Sequence, residues 1–357
     1  MGSQSSFKGP LFVVGASRSG TTMLRSILNR APEIQTAGET HFFDDLRPRF
    51  AGKTLSELSQ EERNACADYF RSQSIRPYGV RADPDESPLS REDLLNPAKE
   101  IGNTVDAVFE TYCRWHVLQS EGAYIWGEKT PRHIFRIDDI LKAFPNARIL
   151  CTVRDPRAVV ASYRDWKYQG GLRKAEGNAD YQAAIAEDHE RKKASYHIVI
   201  ASMMWRAAAR AAVTAREAHS EDRVRVVRYE DIVDKPEDTI RPIVEWLGIP
   251  YDKTLLEIPL HNSSATKFSE TAGPSAAPNK RWISVLSPEE IAIIQQVAGK
   301  SLDAAGYDRE PVKAGPLTLA KAYGSVPSVF MRAARANRSR YSSLPAYVFR
   351  RLSAAFR

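Results

Sequence analysis

Residues 12–24, FVVGASRSGTTML, restrict the fold more than any other stretch of this chain. Leu11 to Val14 is an apolar run ahead of a glycine-rich turn, the pattern of a buried parallel strand. From Thr21 onward Met23, Leu24, Ile27 and Leu28 share one helical face, so the segment reads strand, loop, helix. Gly15, Gly20 and Thr22 reproduce the frame of the phosphate loop G-x-x-x-x-G-K-[ST], but Thr21 stands where the lysine belongs. Such a turn aims backbone N–H groups at an anion, aided by the positive end of the helix dipole. Ser19, Thr21 and Thr22 add hydroxyl donors, and Arg18 adds a fixed positive charge. In ATP-using enzymes the lysine reaches the β and γ phosphates and the next hydroxyl holds Mg²⁺. Its absence points away from a metal-bound triphosphate and toward a shorter, metal-free anion.

Two further buried strands are expected at 148–153 (RILCTV) and 223–227 (RVRVV), and an apolar strand, AYIW, leads to Lys129. Helical stripes lie between them: Ile134, Ile137, Leu141 and Phe144 form one, and Ile243, Trp246 and Leu247 another. Strands alternating with helices imply an α/β fold, a three-layer parallel sheet flanked by helices, with ligands beyond the carboxyl ends of the strands. The expectation is one domain over residues 1–310. It carries polar insertions near 51–100 and 165–195, read as helical lids or substrate-facing segments, and a long loop at 259–282.

A second motif sharpens the reading. In ILCTVRDPRAVVASYRDW, residues 149–166, Arg154 leaves a buried strand, Asp155 and Pro156 take the N-cap and first-turn positions of a helix, and Ser162 follows eight residues after the arginine. With these residues in view, GASRSGTT resembles the 5′-phosphosulfate loop of sulfotransferases that use 3′-phosphoadenosine 5′-phosphosulfate (PAPS). The R-S-G-T-T form is similar to the branch holding tyrosylprotein and many bacterial carbohydrate or small-molecule sulfotransferases. The resemblance implies a P-loop-like sulfotransferase fold over residues 10 to about 305, with Arg18, Ser19, Gly20, Thr21 and Thr22 at the phosphosulfate and Arg154 and Ser162 at the 3′-phosphate. A guanidinium makes paired charge-assisted bonds to phosphate and a serine adds a neutral donor. The segment 228–250, which begins with Arg228 and Tyr229, resembles the family's strand-then-helix unit, and NKRW at 279–282 its late loop over the nucleotide. Tyr229, Lys280, Arg281 and Trp282 are therefore expected at the cofactor, the tryptophan packing on it.

Sulfuryl transfer to an alcohol needs a base for the proton and positive charge around the transferring group. In AGETHFFDDL the resemblance favours Glu39 as base, best served by a raised pKa in a partly dry cleft. His41 and His133 are the other candidates. In WGEKTPRH, Lys129 is implied at the oxygen bridging phosphate and sulfuryl, and Arg18 joins Glu39 and Lys129 as catalytic cation. The acceptor is read as a hydroxyl of a carbohydrate, lipid or small molecule. The competing reading is a phosphate-loop kinase, disfavoured by Thr21 and by Arg154 standing where an Mg²⁺-binding acid would end the middle strand.

Cys66, Cys113 and Cys151 are odd in number and show no metal-like spacing, so neither a disulfide nor a metal is expected. The apparent lack of an export signal or of a run of roughly 20 apolar residues leads to an expected cytoplasmic location. Net charge is +7, yet nine positive charges and no acid follow Glu310. The remainder holds 42 basic against 44 acidic residues, which argues against a nucleic-acid partner. The basic tail, 311–357, carries Val348, Phe349, Leu352, Ala355 and Phe356 at helical spacing, either a peripheral membrane contact or a helix packed on the body.

Overall fold

Residues of the apolar run at 11–14 alternate between two cores, as a strand period of two requires. In the computed structural model, which describes residues 7–77, 79–80, 82–165, 177–258, 273–274 and 279–338, β1 (Leu11–Gly15) is the middle strand of a parallel sheet. It is joined by β2 (Ile34–Ala37), β3 (Ile125–Lys129), β4 (Arg148–Val153) and β5 (Val224–Arg228) in the order β2-β3-β1-β4-β5. Phe12 and Val14 enter one core with Trp126, Ile149 and Cys151, while Leu11 and Val13 enter the other with Ile34, Ile125 and Leu150. The expected three-layer α/β arrangement is the observed one. Register sets Ala37 beside Glu128, Val13 beside Lys129, Gly15 beside Thr152 and Val153 beside Arg228, so all five strands end along one edge.

On one face, α1 (Thr21–Leu28) buries Leu24, Ile27 and Leu28. The opposite face is covered by α2 (Gln60–Ile75), α3 (Arg91–Ile101) and α4 (Val105–Leu118). Reciprocal capping boxes, Ser59 with Glu62 and Ser90 with Asp93, start α2 and α3. The segment at 51–100, read as a helical lid or a substrate-facing insertion, packs into the core through Cys66, Ala67, Phe70, Leu94 and Ala98, with charges such as Glu61, Glu92 and Glu100 on the outer faces of its helices. The stripe from Ile134 to Phe144 is not one helix: a 3₁₀ turn, Pro131–Arg136, precedes Ile137–Ala143.

Helix α5 (Pro156–Arg164) follows β4, with Asp155 as N-cap and Pro156 at its first position, as the sequence motif demands. Next come α6 (Ala179–Ala194), α7 (Ile198–Ala218) and α8 (Pro236–Trp246). By length and composition α7 is apolar enough to cross a bilayer, whereas the sequence reading expected no such run. Here it lies on the sheet, with Trp205, Ala208, Ala209 and Ala212 in the core. Residues 166–176, 259–272, 275–278 and the apolar pattern at Val348–Phe356 lie outside the described residues. The described part of the tail forms α9 (Pro316–Gly324) and α10 (Val326–Ala336). Helix α10 rests on the body through buried Val329, Ala333 and Ala334, and Arg332 Nε donates to the Ala194 carbonyl at 2.9 Å. Cys66, Cys113 and Cys151 are buried free thiols.

Candidate functional site

Each strand of a parallel sheet delivers its next residues to the same edge. Arg18 lies three residues beyond β1, Glu39 two beyond β2 and Lys129 at the end of β3; Arg154 and Tyr229 directly follow β4 and β5. Five separate pieces of chain thus meet above the sheet.

The glycine-rich loop turns through a Ser19 N–H to Ala16 carbonyl bond of 3.1 Å. Arg18 and Gly20 both take left-handed φ, +73° and +84°. At Gly20 the absence of a side chain is needed twice, since a Cβ would also lie 2.3 Å from the Tyr229 ring. Helix α1 begins immediately after Gly20 without a side-chain cap, which leaves its first-turn N–H groups for another acceptor. Buried Ser19 Oγ has no hydrogen-bond partner among the described residues.

Arg18 reaches across to the second motif: its Nε donates to Ser162 Oγ at 3.0 Å. Arg154 Nη1 donates back to the Arg18 carbonyl at 3.1 Å, and its guanidinium lies 4.1 Å from the Tyr229 ring centroid. The Arg154 carbonyl accepts from Trp205 Nε1 at 2.8 Å, fixing the strand end. Asp155 does not neutralise Arg154; it pairs with Arg157 at 2.6 Å and accepts from the Arg157 N–H at 2.8 Å. Burial and the adjacent Arg154 charge lower the Arg18 guanidinium to about 10, partly offset by Tyr163 and Glu39. Two guanidinium groups held close together in a dry site favour a ligand of high negative charge.

At the other end of the loop, Lys129 Nζ donates to Glu39 Oε1 at 2.6 Å and to Thr22 Oγ1 at 3.3 Å. His41 Nε2 lies 3.5 Å from Glu39 Oε2. Lys129 is buried, whereas 40% of the Glu39 side-chain surface is exposed. The raised pKa expected of Glu39 is not found. Burial pushes it up, but the Lys129 ammonium and the hydrogen bond and charge of His41 outweigh that and hold it below the ordinary carboxylate range.

His133 also differs from expectation. Neither a base at the site nor a solvent-facing residue, it is fully buried, with Nδ1 3.1 Å from Glu128 Oε2 and Nε2 accepting from the Phe43 N–H at 3.3 Å. Glu128, missed in the sequence, is equally buried and binds Thr40. Strand alternation was the available signal: next to a Lys129 that faces the site, Glu128 must face the core, where a carboxylate needs partners.

The late segment is only partly brought together with the rest. Lys280 is exposed, and Arg281 Nη2 pairs with Asp165 Oδ2 at 2.6 Å. Trp282 is packed among Ala158, Val160, Leu286 and Ile294 with Arg157 4.3 Å over its ring, so its indole anchors a short helix in the core instead of offering a face to a nucleotide. Within the cluster, Arg18, Lys129 and Arg154 supply cations and Ser19, Thr21, Thr22 and Ser162 supply hydroxyls. That donor set, with one unpartnered buried hydroxyl and an uncapped helix start, fits an anion charged at both ends.

The model of the sulfotransferase family matches residues 10–253. A Caenorhabditis briggsae protein with the provisional name protein-tyrosine sulfotransferase is 22% identical over 324 residues, covering 87% of this chain and 92% of the relative. Protein-tyrosine sulfotransferase A of Caenorhabditis elegans is 23% identical, covering 84% of this chain and 67% of its own. Among solved structures, the sulfotransferase domain of the Synechococcus PCC 7002 olefin synthase has a TM-score of 0.47 at 19% identity, covering 84% of this chain and 95% of that domain.

Proposed function

The chain belongs to the sulfotransferase family, and from that premise we propose that it moves the sulfuryl group of PAPS to a hydroxyl of a carbohydrate, lipid or small-molecule acceptor, with Glu39 as general base. One observation carries the reading: the loop joins a Glu39–Lys129–Thr22 cluster at one end to an Arg18–Ser162–Arg154 cluster at the other. A bisphosphorylated nucleotide bearing a sulfuryl group has charge at both ends and supplies an activated sulfur with a phosphate leaving group. Arg154 and Ser162 would hold its 3′-phosphate, and Arg18, Ser19, Gly20, Thr21 and Thr22 its 5′ end, with Tyr229 beneath the loop.

Lys129 has two tasks in this scheme. Bonded to Glu39 it neutralises the base; drawn toward the charge developing on the leaving oxygen, it stabilises that charge and releases the carboxylate to take the acceptor proton. His41, beside Glu39, orients its second oxygen. Side-chain cations do the work that a metal does in phosphoryl transfer, so EDTA leaves turnover unchanged. The deciding experiment is thermal stabilisation: adenosine 3′,5′-bisphosphate raises Tm because it binds the folded chain, and ATP with Mg²⁺ does not. The reverse order would turn the assignment toward a kinase. Incubation with radiolabelled PAPS and fractionated cell extract then identifies the acceptor.

A further inference from the structure

We propose that Glu128 is a positioning residue: by gripping Thr40 from inside the core it holds the neighbouring Glu39 against Lys129. This rests on Glu39 being the base. Consecutive residues of β3 face opposite ways, so one strand end presents Lys129 to the site and Glu128 to the core beneath the turn carrying Glu39. Both Glu128 and His133 are completely inaccessible to solvent. A carboxylate kept there must be hydrogen-bonded, and its partners show what it does.

Glu128 Oε1 accepts from the Thr40 N–H and from Thr40 Oγ1, each at 2.9 Å, and from Thr130 Oγ1. Its Oε2 faces His133 Nδ1. With His133 Nε2 accepting from the Phe43 N–H, Nδ1 is the ring nitrogen left to donate to Glu128. The Thr40 carbonyl accepts from Tyr69 Oη at 2.5 Å and from Gln73 Nε2 at 3.3 Å, both on α2. Thr40 Oγ1 also accepts from the Phe42 N–H at 3.2 Å. The residue between Glu39 and His41 is therefore held at its N–H, its hydroxyl and its carbonyl by side chains of two rigid elements. On the other side of Glu39, β2 ends at Ala37 beside Glu128, and Gly38 has nothing within 4 Å of where a side chain would begin.

Thr40→Val removes the hydroxyl and Glu128→Gln the charge; either lowers kcat roughly a hundredfold, the scale of an ångström-sized misplacement. KM for PAPS and affinity for adenosine 3′,5′-bisphosphate stay near wild type, because the loop and Arg154 are untouched. Thr40→Ser, which restores the hydroxyl, recovers most of the lost rate. The groups charged toward Glu39 are Lys129, His41, Arg18 and Arg25. A Glu39 loosened from them loses what lowers its pKa, so the acid limb of kcat/KM moves to higher pH in Glu128→Gln. A role confined to stability would lower Tm and leave that limb in place. If Glu128→Gln does not fold, Thr40→Val and Tyr69→Phe carry the test. Folded variants with unchanged kcat and acid limb would overturn the proposal while Glu39→Gln remains inactive. Should Glu39→Gln itself keep full turnover, the base assignment fails first and this role with it.

Discussion

Lys129 and Glu39 neutralise each other, and this one contact decides how each behaves. A carboxylate whose folded pKa lies below its unfolded value stabilises the fold above the unfolded value, about 4.5, and that contribution is lost as pH falls through the folded value. Glu39 thus stays ionised from pH 5 to 8, and a pH–rate profile over that range shows no limb from it. Removing the ammonium takes away a charge that lowers the carboxylate's pKa: in Lys129→Met the Glu39 pKa rises, and under the proposed reaction kcat falls by roughly 10²–10³ because the leaving oxygen loses its cation. Affinity for adenosine 3′,5′-bisphosphate, measured by calorimetry, changes little. Arg154→Ala does the opposite. With Arg154 holding the 3′-phosphate as proposed, loss of a charge-assisted contact of about 1.5–3 kcal/mol weakens nucleotide binding some ten- to a hundredfold, while kcat at saturation changes less.

The strand–loop–helix unit at residues 11–28 was legible because its chemistry is local. An apolar run, two glycines and an amphipathic stripe specify it without reference to the rest of the chain. The same holds for β4, Asp155, Pro156 and α5. Gly20→Ala tests the loop directly. The new methyl meets both an unfavourable positive φ and the Tyr229 ring, so the variant loses about 1–3 kcal/mol of stability, read as a fall in Tm, and binds nucleotide weakly because the loop must shift. Less legible was 51–100, where composition indicated an insertion but the buried faces of α2 and α3 are core. Its charges say which face is wet and nothing about what the dry face touches. Trp282 illustrates the same point: an aromatic beside basic residues suits a nucleotide or a core, and only its neighbours in α5 decide.

Across the whole molecule, the +7 charge conceals a nearly balanced body and a basic tail. The tail begins as structure: α10 buries Val329, Ala333 and Ala334, and Asn337 accepts from Arg191 at 2.9 Å. Deleting residues 326–357 removes α10, bares the surface it covers and lowers Tm by about 5 °C, followed by differential scanning calorimetry. Unchanged Tm would mean that α10 adds nothing to the body.

By itself, the sequence determined the parallel α/β class, the loop at 15–22 and the identities of the charged residues that follow the strands. These depend on periodicity, glycine placement and the fixed chirality of the chain, all of which act over a few residues. Tertiary structure alone decided that Arg18 bonds Ser162, that Glu39 meets Lys129 and sits low in pKa, and that His133 is locked in the core by Glu128. Those outcomes depend on strand order and register, which bring together side chains as much as 144 residues apart. A carboxylate's basicity is set by the charges around it, and no local pattern records which charges those will be.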